Sequence, residues 1–322
     1  MTAAALEFLQ DDTSFAVFDG DMELFRYTFV PDSPQLESPK PYLSPIRTRS
    51  GRIVSLFRPH DHVWHKGISW SLPVVDDENF WGGPTYVHGQ FYVQLPNDGS
   101  QVHRSVERAG IDDGVAAFVH TLDWITERGL RMFTERRAVT ARAVTDDTWV
   151  LTFETAMTNV TEAAISIGSP TTRGRDNAGY GGLFWRGPRS FTGGLAISPA
   201  GSGSGNDMRG QRHEWMAFAG RHDQIDAESV LAFVDHRDNP QHPPQWFVRT
   251  EEFACVNPAP FFSEELAVAP GETVVFRYGV GVADATADRA QDVAGLARDV
   301  LQSLSDRGAD TLAATHAGTA GS

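Results

Sequence analysis

The amino-acid sequence predicts an all-β protein, a large antiparallel β-sandwich carrying one C-terminal helix. Three observations carry this reading. Beyond Pro84 apolar and polar side chains alternate with period two, as in HGQFYVQL, GVAAFVHTLDWI and TWVLTFETAMTNV. Turn-forming Asn, Asp and Gly clusters (Asn97-Asp98-Gly99, Asp112-Asp113-Gly114, Arg128-Gly129, Asp146-Asp147) recur at roughly sandwich or barrel spacing. Helical periodicity is convincing in only one place, near the C-terminus.

Taken in order, FAVFDGDMELFRYTFV at 15–30 reads as a hairpin turning at Asp19-Gly20-Asp21. Five prolines between 31 and 46 predict an ordered loop without regular structure, and Tyr42–Leu56 predicts two short strands about Ser50-Gly51. Strands follow through residue 160, with Arg131, Glu135 and Arg137 expected on a solvated sheet face. The glycine-rich stretch 168–205 has no phosphate-loop spacing, and GSGSGNDMRG at 201–210 predicts a flexible loop. HEWMAFAG, SVLAFVDH, PQWFVR and ETVVFRYGVGV supply further strands. Ala283–Leu304 predicts the helix, with Val293, Leu296, Val300, Leu301 and Leu304 on one stripe. No linker or repeat divides the chain, so residues 1–305 are expected to form one domain and 306–322 a flexible tail.

The chain of 322 residues has a net charge of −15, which argues against a nucleic-acid or anionic membrane partner. No run approaches the ~20 apolar residues of a spanning helix, and no signal peptide is evident at the N-terminus. The single cysteine, Cys255, excludes an internal disulfide framework and sits in an apolar run that predicts an inert thiol. Together these predict a cytoplasmic protein.

Candidate chemistry concentrates in two histidine-rich blocks. The first, Arg58–Trp81, holds His60, His62, His65, Lys66, Trp64 and Trp81. His60 and His62 would share one side of a strand and could ligate a divalent ion with His236 and His242. His62 and His65 could instead act as general acid and base near neutral pH, or be structural histidines bonded to carbonyls. The second block runs Asp235-His236-Arg237-Asp238-Asn239-Pro240-Gln241-His242. It is either a functional loop at a strand end or a proline-stiffened turn. Arg173, Arg175 and Arg186 with Tyr180 and Trp185 offer forks and rings suited to a sugar.

HVWHKGISW (62–70) followed by DDENFWGG (76–83) resembles the His-x-x-His-Arg/Lys and Asp/Asn-Phe-Trp signature of the PmoA-like bacterial proteins. VDHRDNPQHPPQWFVR (234–249) is similar to that family's second block, and GYGGLFWR (179–186) to its Gly-Gly-Phe-x-x-Arg block. The chain departs from the pattern at Arg237, where proline is usual, and at Asn79, where aspartate is common. The resemblance spans about residues 42–282. It implies a galactose-mutarotase-like supersandwich and a role in sugar catabolism. On that reading the partner is a small sugar or glycoside, which the enzyme hydrolyses, eliminates or epimerises. His62, His65, His236 and His242 carry acid–base chemistry, while Lys66, Trp64, Trp81, Asn79, Arg186 and Asn239 hold substrate. No cofactor is expected, though a divalent metal could bind. The two blocks are expected to meet across one pocket. The alternatives are a carbohydrate-binding protein without catalysis and a metal-dependent oxygenase or hydrolase.

Overall fold

The computed structural model describes residues 6–317, with side chains through residue 304. It is an antiparallel β-sandwich of an eleven-stranded and a nine-stranded sheet, with a separate two-stranded hairpin, Thr85–Val87 with Phe91–Val93. The first sheet runs in spatial order Leu6–Gln10, Ser14–Asp19, Met22–Thr28, Tyr42–Ile46, Ile68–Val75, Gly182–Arg186, Cys255–Ala259, Gln245–Arg249. The second is built on the long strands Ser100–Asp112, Val115–Ile125, Arg131–Ala143, Thr148–Asn159 and Thr273–Ala283, then Glu228–Asp235 and Trp215–Arg221. The first hairpin turns at Gly20-Asp21, with Asp19 opposite Met22, as its sequence predicts.

Alternation decides what each face meets. Trp70, Trp149, Trp185, Trp246, Phe118 and Phe276 point between the sheets and form one continuous core. The other face of the second sheet is covered by the C-terminal helix. Val293, Ala297 and Leu301 pack there on Ala217, Val230, Ala232 and Val234, each buried Val or Leu contributing about 1.5–3 kcal/mol. Gly281 permits the close approach, since a Cβ there would lie 2.7 Å from Val293 Cγ1. No described helix is long and apolar enough to cross a membrane.

Five local expectations change. The helix begins at Ala290 rather than Ala283, which ends a strand. It continues to Ala317, so much of the expected 306–322 tail is helical and residues 318–322 lie outside the described residues. GSGSGNDMRG is ordered: Gly201–Gly203 is an edge strand, and Ser204 caps the short helix Gly205–Met208 through a capping box with Asp207. The proline-rich loop contains a 3₁₀ turn at Gln35–Glu37. Glu135 and Arg137 are not solvated; they form a buried ion pair at 2.7 Å. Period two places both on the inner face, where Trp124 Nε1 donates to Glu135 and Arg137 donates to Gln101 and Tyr27. That network satisfies the pair's charge inside the core.

Candidate functional site

A cavity of about 460 Å³ opens on the face of the first sheet that points away from the second sheet. Its floor follows from alternation. Leu183, Trp185, Trp246 and Val248 fill the inter-sheet core, so Phe184, Phe247 and Arg249 emerge on the opposite side. Loops supply the walls: Asp61, His62, Trp64 and His65 from the first histidine block, then Trp81, Gly82 and Pro84. Tyr92, Arg175, Tyr180, Glu252 and Phe253 complete the lining.

The two histidines stack, with ring centroids 4.7 Å apart and planes 12° from parallel. Asp61 Oδ2 lies 2.9 Å from His62 Nδ1. Burial would raise the Asp61 carboxyl. Hydrogen bonds from His62 and Arg189 and the nearby Arg186 charge instead hold it well below the usual carboxylate range. An ionised carboxylate only accepts, so His62 Nδ1 carries the proton and Nε2 keeps its lone pair. His65 is the reverse case. Arg186 Nη1 sits 3.1 Å from His65 Nδ1, and a guanidinium only donates, so the His65 proton is on Nε2. Burial lowers both pKa values, that of His65 strongly with help from His62 and Arg186, while the Asp61 hydrogen bond partly opposes the shift at His62. The result is two neutral imidazoles of opposite tautomer, one an acceptor and one a donor.

Arg186 itself does not line the cavity. It is buried, with its guanidinium 3.8 Å from the Phe253 ring centroid and Nη2 3.2 Å from Asp61 Oδ2. It therefore orients Asp61 and His65 instead of holding substrate. Lys66 also departs from expectation. Neighbours on an extended segment point opposite ways, so His65 faces the cavity while Lys66 is buried against Glu37 Oε2 at 2.7 Å, with Ser33 as a further acceptor. Glu37 also takes the Arg58 fork, which anchors the block at its base. Asn79 is fully used by its own loop: Nδ2 donates to Gly83 O and Thr85 Oγ1, and Oδ1 accepts from the amides of Trp81 and Gly82. An aspartate there would lose both donor bonds. Trp64 and Trp81 both line the cavity. Trp64 lies flat on Gly83, where φ is +71° and a Cβ would stand 2.6 Å from the indole.

The second block does not join this cavity. Asp235 shares the inward face of its strand with Leu231 and Phe233, so it points between the sheets. His242 Nδ1 meets Asp235 Oδ2 at 2.7 Å. Asn239 Nδ2 donates to Asp235 Oδ1 and to Arg277 O, while Arg277 N donates to Asn239 Oδ1, each at 2.7 Å. His236 is buried, its Nδ1 accepting from the Asp238 amide at 3.2 Å. None of residues 235–244 lines the cavity. The expected shared pocket is thus corrected, as is the four-histidine metal set of His60, His62, His236 and His242. His60 is exposed and bonds Arg189. Among the described residues no three His, Cys, Asp or Glu side chains are grouped to hold a metal ion.

Sequence reasoning passed over Tyr92, Phe247, Arg249, Glu252 and Phe253. The signal for Phe247 and Arg249 was present in QWFVR, whose alternating Trp246/Val248 and Phe247/Arg249 mark a strand buried on both faces. Cys255 lies beneath this floor, wholly buried, its thiol pushed up to about 12 by burial.

Comparison with known proteins gives a family and low-scoring alignments to solved structures. No curated protein matches the sequence. An α-galactosidase from Lactobacillus brevis aligns with TM-score 0.37 at 10% identity, over 88% of this chain and 40% of that one. A polysaccharide lyase aligns at 0.34 and 10%, covering 91% and 35%. A TPR-domain containing protein from Parabacteroides distasonis aligns at 0.34 and 10%, covering 86% and 47%. The chain thus spans less than half the length of each of these. The PmoA-like label expected from the histidine blocks is not the description that its matching family carries. With residues 15–298 matched, the chain belongs to DUF6807, a family of unknown function.

Proposed function

We propose that the protein is a sugar-active enzyme that moves a proton at a carbon next to a carbonyl group, leading to elimination or epimerisation. The observation that carries this reading is the stacked His62–His65 pair, kept neutral by burial and set in opposite tautomers by Asp61 and Arg186. His62 Nε2 has the lone pair a general base needs, at a pKa below the ordinary imidazole value and so unprotonated at neutral pH. His65 Nε2–H is a neutral donor suited to an oxygen that gains charge as the C–H bond breaks. The cavity volume of about 460 Å³ fits a mono- or disaccharide-sized ligand, and Trp64, Trp81, Phe247 and Phe253 offer apolar faces to a sugar ring. The single buried cysteine suits a reducing, cytoplasmic setting.

The test is incubation of the full chain in D₂O with a panel of glycosides, their 3-keto derivatives and uronates, followed by NMR. Exchange of the proton next to the carbonyl, with or without a cleaved product, is expected for at least one member and is lost in His62→Ala. Binding without exchange across the whole panel would turn the reading to a carbohydrate-binding protein. Unchanged turnover in His62→Ala would sink the acid–base assignment.

A further inference from the structure

The chain carries a net charge of −15, yet acidic and basic side chains are equal in number along the cavity lining. Asp61 is occupied by Arg186 and Arg189, at 3.2 and 2.6 Å. Glu252 is paired with Arg249 at 2.9 Å. Arg175 lines the cavity with no carboxylate partner among the described residues. Arg209 stands behind the floor, its guanidinium 5.4 Å from the Phe247 ring centroid and its buried Nη2 without a hydrogen-bond partner. The carboxylate of Glu251 is taken up by the backbone amides of Asn206 and Thr250. In the lining itself Arg175 and Arg249 balance Asp61 and Glu252, and Arg175 is the guanidinium left without a carboxylate. A guanidinium without a carboxylate partner attracts an anion into the cleft, and apolar walls strengthen the attraction.

Arg175 is also set in place before any ligand arrives. It donates to the Tyr92 hydroxyl, which lies 2.8 Å from the Tyr180 hydroxyl. Its guanidinium is 4.7 Å from the Tyr92 ring centroid and 5.3 Å from that of Phe91. A stacked guanidinium with one edge used and another free suits bidentate capture of a carboxylate.

We infer that the cavity takes a sugar acid, with the carboxylate seated on Arg175. The inference rests on the proposed sugar chemistry and narrows its substrate class. Pairing the carboxylate with a guanidinium makes the adjacent C–H more acidic, which a neutral imidazole base requires. For elimination, His62 Nε2 takes that proton, a C=C bond forms as the β C–O bond breaks, and the His62 imidazolium returns the proton to the leaving oxygen. His65 Nε2–H donates to an oxygen that gains charge, and both histidines end neutral.

Isothermal titration of the full chain with D-glucuronate, D-galacturonate, their uronamides and glucose 6-phosphate tests this directly. At low salt at least one uronate should bind about tenfold or more tightly than its uncharged amide. The advantage should shrink as salt rises, vanish in Arg175→Gln and survive in part in Arg175→Lys. Equal affinity for acid and amide, an advantage that persists in Arg175→Gln, no binding of either uronate, or tighter binding of glucose 6-phosphate would each overturn the assignment. Comparing acid with amide on the unaltered protein keeps the test independent of how the variants fold. Exchange on neutral 3-keto sugars without preference for acids would refute the inference and leave the proposed function standing. Tight uronate binding without exchange would do the reverse.

Discussion

Two aspartate–histidine pairs among the described residues have almost the same separation, Asp61–His62 at 2.9 Å and Asp235–His242 at 2.7 Å, and of these two the first lines the cavity while the second does not. At the first, Arg186 and Arg189 share Asp61 with the histidine, and His62 Nε2 makes no bond to any described residue. At the second, Asn239 ties the aspartate to the backbone of Arg277, plugging the end of the sandwich where strand Glu228–Asp235 leaves the core. A histidine-rich motif is therefore no sign of a site by itself. What distinguishes the two is which side of the sheet the aspartate's neighbours place it on.

The sharpest way to break this comparison is to remove one histidine from each pair. On the proposed reading, His62→Ala lowers turnover by about 10²–10⁴-fold, the usual worth of a general base. His242→Ala leaves turnover per folded molecule within a few-fold and lowers the melting temperature instead. Paired rate and thermal-melt measurements check both, and an equal loss of rate in the two variants would contradict the division.

The comparison also shows what the sequence could and could not say. The sandwich was legible because period-two alternation is a property of each strand alone. The first block was legible as a lining stretch because three histidines (His60, His62, His65) and Trp64 crowd within a few residues of Asp61. The roles within it were not. Lys66 and Asn79 look like ligand-binding residues in one dimension, but Glu37 and the Trp81–Thr85 loop claim them in three. The second block was misplaced for a related reason. Asp235 continues the inward alternation of Leu231 and Phe233, a fact visible in SVLAFVD, but its neighbour Arg277 is contributed by a strand far along the chain. Charge pairs such as Glu135–Arg137 mislead in the same way, since only the fold reveals Trp124, Gln101 and Tyr27 around them.

A second substitution tests whether the first pair depends on its surroundings. Arg186→Met should remove the donor to His65 Nδ1 and free that ring to change tautomer. A loss in turnover of about 10²-fold, with little change in substrate affinity, is expected of a group that orients the reacting ones. A change confined to affinity would place Arg186 on the substrate instead. For the second pair the matching test is Asn239→Ala, which strips Asp235 and Arg277 of buried partners. It should cost about 1–3 kcal/mol of stability by denaturant titration while the rate constant holds.

The smallest expected effect separates the pairs most cleanly, because it needs no substrate. The Asp235 hydrogen bond, with its charge, outweighs burial and raises the pKa of His242 above the ordinary value of 6.5. Burial lowers the pKa of His62 below it, against the opposing bond from Asp61. The stabilisation from a raised histidine is fully present below its unfolded pKa and fades as pH climbs through the folded value. The contribution of His242 should therefore be lost on the alkaline side of 6.5. A lowered histidine acts oppositely. The folded state takes up its proton less readily than the unfolded chain, so His62 and more strongly His65 favour unfolding as pH falls below 6.5. NMR titration of the imidazole C–H resonances should thus show His242 with its midpoint above 6.5 and His62 below it. In Asp61→Asn the midpoint of His62 should fall further, since the opposing hydrogen bond to a charged acceptor is gone. If His62 titrates above His242, the environments have been assigned to the wrong pairs, and with them the location of the base.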